Sequence, residues 1–196
     1  MPQMARILPA DGFFHLIARG NNDTRVCRNR RDFLELKRRL FAYCTAVAIE
    51  VYKYAIMHTH YHLLAWVPDT ALLGKSMQAL QLSYHHYYRR QYHYKGHLWQ
   101  SRYRSILIEN ESHLHQCGRY HELNAVFAGL VAKPDAYPWT SYHYYAFGRP
   151  DFLITPSALF ATPDEAARRA YREFVHAGID VDYQRQKRMF EKSPIS

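Results

Sequence analysis

The spacing of hydrophobic residues changes between strand-like and helical periods along the first part of the chain. Residues 13–19 are largely apolar and run into the turn-rich segment 20–23, which predicts a strand followed by a loop. From Asn29 onward, apolar residues recur every three or four positions while charged residues fill the other face, which predicts an amphipathic helix. The apolar stripe of this helix comprises Phe33, Leu36, Leu40, Cys44 and Val47.

The next two apolar segments predict a β-hairpin. Residues 49–57 and 60–67 are rich in β-branched and aromatic side chains, and only His58 and Thr59 separate them. A second helix is predicted after the hairpin and before Gly96, and residues 102–109 predict a fourth strand. The stripe of the second helix comprises Leu73, Met77, Leu80, Tyr84 and Tyr87.

This order of elements predicts the fold class. Strand, helix, strand, strand, helix, strand is typical of an α+β, ferredoxin-like (RRM-like) antiparallel sheet with helices on one face. A further helix is predicted after the last strand, from the N-cap Asn110 through Asn124, and a terminal helix over residues 164–176. Gly118 lies inside the first of these, where glycine costs about 1 kcal/mol relative to alanine, so either the helix packs closely there or its prediction is weaker.

Composition narrows the function classes. The chain has 196 residues, and 26 Lys+Arg against 17 Asp+Glu leave a net charge of +9, which favours a polyanionic partner such as nucleic acid. Hydrophobic residues make up 48% and aromatic residues 15%, which excludes a disordered chain and predicts one packed domain with a small appendage. Aromatic and basic residues interleave over 84–95 and 99–104, a mixture that suits unpaired bases, although each residue alone fits core packing or solvation as well.

Several locations and site types are not expected. The longest central stretch without a formal charge, residues 54–68, is shorter than a membrane span and contains three histidines. The first residues show no apolar segment after a basic flank, so no signal peptide is expected and we predict a cytoplasmic protein without membrane contact. The 3 cysteines are far apart, which supports neither a disulfide framework nor a zinc ribbon.

Two histidines carry the sharpest chemical signal. His60 and His62 are two apart in a predicted strand, so their imidazoles share a face and could present a divalent metal to a substrate. The alternative is two half-buried histidines bonded to nearby groups. His58 has the same strand parity and is interpreted as structural.

A later helix offers partners for this pair. Tyr120 and Asn124 are four apart and project from one helix face. The Asn124 amide oxygen could bind the same ion, and the Tyr120 phenol could attack a phosphate that the ion orients. The alternative for Tyr120 is core packing, since the chain has 17 tyrosines.

Several motifs in order resemble a known family. Residues 54–64, around His60 and His62, resemble the histidine-hydrophobic-histidine (HUH) segment of the insertion-sequence type single-tyrosine transposases, and more closely of the REP-associated tyrosine transposases. The resemblance covers roughly residues 12–145, so we predict a transposase domain over 1–145 and a C-terminal extension with a terminal helix over 146–196. Its other motifs are residues 19–21, 96–105, 119–130 and 137–141.

The resemblance implies a function and a site. It implies a metal-dependent endonuclease and strand transferase that acts on single-stranded DNA at hairpins through a covalent 5′-phosphotyrosine. Tyr120 would be the nucleophile, and His60, His62 and Asn124 would be ligands of Mg²⁺ or Mn²⁺. The protein would be cytoplasmic and nucleoid-associated, and it could be a monomer or a homodimer.

DNA contacts are predicted around these residues. The predicted set is Arg19, Asn21, Trp99, Arg102, Tyr103 and Arg104. The arginines are expected at phosphates, whereas base stacking and core burial are equally open for the two aromatic residues. The basic stretch 184–188 could also contribute to hairpin binding. The alternative function is a non-cleaving, sequence- or structure-specific hairpin-binding protein derived from a transposase.

Overall fold

The computed structural model describes residues 8–179, and four of its strands form one antiparallel sheet in the order β2-β3-β1-β4. The order of elements and the sheet topology confirm the predicted ferredoxin-like α+β class, with a C-terminal helix after the core. The elements are β1 (Gly12–Arg19), α1 (Arg30–Thr45), β2 (Glu50–Ile56), β3 (His60–Val67), α2 (Thr70–Tyr92), β4 (Arg104–Leu107), α3 (Glu111–Phe127), α4 (Tyr142–Phe147) and α5 (Glu165–His176).

The sheet has two differently covered faces. On one face the apolar side chains of the strands, Leu16 among them, pack with α1 and α2 in the main hydrophobic core. Residues on the other face alternate with these, and the rings of His15 and His62 contact His121 of α3 there. The two helices between the strands therefore share one face, as predicted, and the helix after the last strand covers the opposite one.

Side-chain caps define where the helices begin. Asn29 accepts hydrogen bonds from the backbone N–H groups of Arg31 and Asp32 at the start of α1. Asn110 accepts one from the N–H of His113, which confirms it as the N-cap of α3. Each cap is worth about 1 kcal/mol. The third helix extends three residues past the predicted end at Asn124, to Phe127.

Gly118 lies where α3 packs against Lys53 of β2. A Cβ atom at this position would lie 2.6 Å from Cδ of Lys53, which is closer than such atoms approach in practice. The close packing named as one alternative is therefore what the structure shows.

The chain after α3 covers the outer edge of β2. The backbone N–H of Ile56 donates to the carbonyl of Trp139 (2.8 Å), and that of Thr155 donates to the carbonyl of Val51 (2.8 Å). These bonds satisfy an edge strand that would otherwise expose unpaired groups.

The predicted boundary between a transposase domain and a C-terminal extension at residue 145 stays a prediction. Over residues 8–179, none of the helices has the length and apolar character needed to cross a membrane.

Candidate metal and DNA-cleavage site

Strand β3 places the two predicted histidines side by side. The ring centroids of His60 and His62 are 4.8 Å apart and their planes are nearly perpendicular. His62 is fully buried, whereas His60 is half-buried. The Thr59 hydroxyl lies 2.9 Å from Nδ1 of His60 and so leaves Nε2 of that ring for another partner.

Helix α3 brings the other two predicted residues to this pair. Oδ1 of Asn124 lies 3.4 Å from Nε2 of His60, and the Tyr120 ring centroid lies 5.7 Å from that of His62. Tyr120 and Asn124 are one helical turn apart, which is why both side chains reach the same region. The structure thus brings together all four residues that the sequence predicted for the catalytic step, while their chemical roles stay a prediction.

The donor atoms at this point fit a divalent ion. Nε2 of His62 is buried and has no hydrogen-bond partner among the described residues. Leaving such a nitrogen unpaired costs about 1–3 kcal/mol, a cost that a bound ion would remove. Two imidazole nitrogens and one amide oxygen are ligands that divalent ions accept, and the set leaves coordination positions for a substrate.

The electrostatics keep the buried imidazole neutral. Burial lowers the pKa of His62 well below its usual value, and the neighbouring His60 and His15 rings lower it further. Burial likewise lowers the pKa of His121 well below its usual value. Neutral imidazole is the form that binds metal ions, so no proton has to leave His62 first.

Two further histidines surround His62. His15 of β1 places Nε2 2.8 Å from Nδ1 of His62, and His121 of α3 packs its ring 4.6 Å from that of His15. His15, His62 and His121, which we call the histidine cluster, are fully buried. Their ligand nitrogens lie within 4.8 Å of one another, so the cluster could itself hold a metal ion.

Sequence reasoning missed His15 and His121. Alternation along β1 puts His15 on the same face as Arg19, but its approach to His62 depends on the register between β1 and β3, which pairs Ile17 with His62. His121 follows Tyr120 directly, and nothing in the apolar periodicity singles it out. Nδ1 of His58 lies 2.8 Å from the carbonyl oxygen of Cys27, which holds this ring against the backbone, and its structural role stays a prediction.

The predicted DNA-contacting arginines take different positions. Arg19 pairs with His60 across the sheet, and Arg104 pairs with Ile17, the cross-strand neighbour of His62. Paired residues share a face, so both arginines lie on the face of the candidate metal site. Arg102 is exposed just before β4.

The other predicted DNA contacts are packed more closely. Tyr103 is 6% exposed and belongs to the main core, so the burial alternative describes its position. Trp99 is half-buried and donates from Nε1 to the carbonyl of Gln81 (2.9 Å), and Asn21 is half-buried with its backbone N–H bonded to Leu98. The basic stretch 184–188 lies outside the described residues.

Comparison with known proteins gives the family. The model of the family described as "Transposase IS200 like" matches residues 11–123, which include His60, His62 and Tyr120. A solved REP-associated tyrosine transposase bound to a REP hairpin has a TM-score of 0.61 and 16% identity, and the match covers 84% of this chain and 99% of that one. A candidate transposase from Deinococcus radiodurans R1 has a TM-score of 0.44 and 16% identity, with coverage of 65% and 97%.

The search of curated proteins found no match. The family model nevertheless spans more than half of the chain and contains both histidines of the HUH segment together with the tyrosine of α3. The chain therefore belongs to the IS200-like transposases, the family of HUH single-tyrosine transposases.

Proposed function

We propose that this protein is a cytoplasmic, metal-dependent endonuclease and strand transferase. It would cut single-stranded DNA beside hairpins through a covalent 5′-phosphotyrosine at Tyr120. One observation carries the proposal: His60, His62, Asn124 and Tyr120 converge from two elements that are distant in sequence, around a buried imidazole nitrogen that has no hydrogen-bond partner within residues 8–179. A core that needed only packing would be expected to bury apolar side chains at these positions.

His60, His62 and Asn124 would hold Mg²⁺ or Mn²⁺. When bound, the ion would neutralise charge on the scissile phosphate and orient it for attack. The protein's own contribution is to keep the His62 imidazole neutral and to hold the amide oxygen of Asn124 beside His60.

In the proposed step, the Tyr120 oxygen attacks phosphorus and the bond between phosphorus and the 3′ oxygen breaks. The phenol gives up its proton, the departing 3′ oxygen gains one, and the products are a 5′-phosphotyrosine and a free 3′-hydroxyl. Attack by a 3′-hydroxyl reverses the step, so rejoining needs no ATP. Tyr120 is fully buried, so α3 or its neighbours must move to let a phosphate reach the phenol.

The surface around the site would hold the DNA. Arg19, Arg102 and Arg104 would contact phosphates, consistent with a net charge of +9. A hairpin is the proposed substrate because the solved REP-associated transposase of the same fold is bound to a REP hairpin. Trp99 and Asn21 are half-buried and lie next to this surface, because backbone contacts join residues 20–21 to residues 98–100.

The test is adduct formation. The protein is incubated with hairpins that carry labelled single-stranded flanks, in Mn²⁺, in Mg²⁺ and in chelator, and covalent protein–DNA species are separated on denaturing gels. We expect an ion-dependent adduct for the wild type and none for Tyr120→Phe. No adduct across a varied hairpin panel, or an adduct that survives Tyr120→Phe, would refute the proposal.

The burial of Tyr120 favours a second candidate function, which is hairpin binding without cleavage. A phenol that no substrate can reach would leave a protein that binds DNA hairpins without cutting them. In that case hairpins shift on native gels equally with and without metal, Tyr120→Phe binds like the wild type, and no adduct forms.

A further inference from the structure

We infer that His15 is a positioning residue that fixes the ring orientation and tautomer of His62, so that the lone pair of His62 Nε2 faces the metal site. The inference deepens the proposed function and rests on it for the identity of that site. Neither the family match nor the predicted ligand set includes a role for His15.

The geometry of the two rings supports this assignment. Nε2 of His15 and Nδ1 of His62 are 2.8 Å apart, which is hydrogen-bonding distance, and both rings are fully buried. The ring centroids are 5.1 Å apart and the ring planes are inclined by 29°, so the rings lie side by side. His15 stands diagonally across the β1–β3 ladder from His62, because His62 pairs with Ile17. Two rigid, hydrogen-bonded strands therefore set the contact.

A metal ion at Nε2 of His62 requires one direction of this hydrogen bond. A neutral imidazole carries one proton, on either Nδ1 or Nε2. If His15 donated to Nδ1 of His62, the His62 proton would sit on Nε2, where no acceptor lies among the described residues and where it would block a metal. If His62 donates from Nδ1 to Nε2 of His15, the unpaired atom is an acceptor ready to bind an ion. Metal-binding histidines are commonly oriented through their second nitrogen in this way.

His121 provides a matched control. Its ring packs 5.5 Å from that of His62 and 4.6 Å from that of His15, so it fills space beside both. Within the described part of the chain, His121 makes one hydrogen-bonding contact, with Cys117, whose sulfur lies 3.8 Å from Nε2 of His121. Replacing His121 therefore disturbs the packing of the histidine cluster without removing the bond to Nδ1 of His62.

The first experiment reads the tautomer without metal or DNA. ¹⁵N NMR of histidine-labelled, metal-free protein shows which nitrogen of each ring is protonated, and His62→Gln assigns the His62 signals. We expect a proton on Nδ1 of His62 in the wild type and in His121→Phe, and a loss of this preference in His15→Phe. A proton on Nε2 in the wild type would overturn the inference.

The second experiment measures Mn²⁺ affinity by calorimetry on the same proteins. We expect His15→Phe to weaken binding about 10–100-fold, as loss of an orienting partner does, and His121→Phe to change it only a few-fold. His15→Gln should restore much of the affinity, since its amide oxygen can accept from Nδ1. Equal losses in His15→Phe and His121→Phe, with no loss in His60→Ala, would place the ion inside the histidine cluster and overturn the inference.

The two experiments separate this inference from the proposed function. If the tautomer behaves as expected but the wild type binds no Mn²⁺, the positioning role of His15 stands and the metal-dependent function fails. If the wild type binds Mn²⁺ and His15→Phe binds it equally well, the proposed function stands and the positioning role fails. Unfolding curves for each variant confirm that the folded protein is being measured.

Discussion

Two buried polar clusters contact α3, and they differ in how their atoms are paired. The histidine cluster leaves Nε2 of His62 without a partner among the described residues. In the second, the carboxylate cluster of Lys53, Glu122, Ser141 and Tyr171, one oxygen of Glu122 accepts from the Ser141 hydroxyl (2.7 Å) and from the Tyr171 phenol (2.8 Å). Lys53 donates to the Tyr171 oxygen and lies 3.7 Å from the carboxylate.

This difference indicates that the histidine cluster binds a ligand, whereas the carboxylate cluster stabilises the fold. The carboxylate cluster joins β2, α3, α5 and the start of α4 through hydrogen bonds centred on Oε1 of Glu122, whereas Oε2 of Glu122 has no hydrogen-bond partner among the described residues. In the histidine cluster, Nε2 of His62 is an imidazole nitrogen that an ion from outside the protein can bind. We therefore expect changes in the carboxylate cluster to alter folding stability, and changes around His62 to alter activity.

The largest expected effect is on activity. His60→Ala removes a proposed metal ligand that is half-buried, so we expect adduct formation to fall about 10³-fold or more, equivalent to about 4 kcal/mol of barrier. The free energy of unfolding should change by less than about 1 kcal/mol. Rates of adduct formation and urea unfolding curves measure both quantities.

His58→Ala is the matched control, because His58 lies two residues before His60, in the turn that precedes β3, and bonds to the Cys27 carbonyl. It should keep cleavage and lose about 1 kcal/mol of stability with that bond. Ion-dependent cleavage that survives His60→Ala would remove this histidine from the ligand set.

Glu122→Leu should give the largest stability loss. It leaves the buried ammonium of Lys53, which is 3% exposed, without its carboxylate, and breaking a buried ion pair in this way costs about 3–5 kcal/mol. The double variant Lys53→Met/Glu122→Leu replaces both charges with apolar groups and should recover most of the loss. Urea unfolding measures both, and a double variant no more stable than Glu122→Leu would contradict the account.

The pH dependence of stability should also report the carboxylate cluster. Burial lowers the pKa of Lys53 to about 8 from its usual 10.5, although Glu122 acts in the opposite direction. Above pH 8 the folded protein releases this proton, whereas the unfolded chain keeps it until about pH 10.5. The unfolded state then binds more protons, so this residue makes the free energy of unfolding rise with pH by up to about 1.4 kcal/mol per unit.

Tyrosines of the unfolded chain begin to ionise near pH 10 and act with the opposite sign. The useful range is therefore pH 8 to about 9.5, with Lys53→Met as the reference. The wild type should gain stability relative to this variant across that range. Parallel curves for the two proteins would show that the Lys53 ammonium titrates as it does in water.

The two clusters also show what the sequence could and could not predict. Apolar periodicity and the cap residue Asn110 predicted the four strands, the helices α1, α2, α3 and α5, and their order, because these signals are local. The placement of His60 and His62 on one face of β3 followed from strand alternation, which is also local. The contact between His15 and His62 depends on strand register, and that of Lys53 with Glu122 on a crossing of β2 and α3, so neither leaves a signal at short sequence distance.

Tyr103 illustrates the same limit for burial. An aromatic residue among basic ones fits both a DNA surface and a core, and only the packing of the segment before β4 decides between them. Gly118 was informative in the opposite way, since a helix-interior glycine predicted either close packing or a weak helix, and the structure shows the first.

The smallest expected effect tests the contact between α3 and Lys53. Gly118→Ala places a methyl group 2.6 Å from Cδ and 2.9 Å from Cε of Lys53, so this side chain must move away from its partners. Overpacking of this kind costs about 1–3 kcal/mol, and the helix propensity of alanine returns up to about 1 kcal/mol. We expect a net loss of stability of roughly 1–2 kcal/mol in urea unfolding.

Gly74→Ala in α2 is the control, because a Cβ at position 74 meets no atom within 4 Å. With no overpacking, only the propensity gain remains, so this variant should be more stable than the wild type by about 0.5–1 kcal/mol. Opposite signs for two substitutions of the same chemistry would locate the penalty in the Lys53 contact. A gain for Gly118→Ala as large as that for Gly74→Ala would mean that Lys53 moves aside without cost, and the carboxylate cluster would then be more adaptable than its hydrogen bonds suggest.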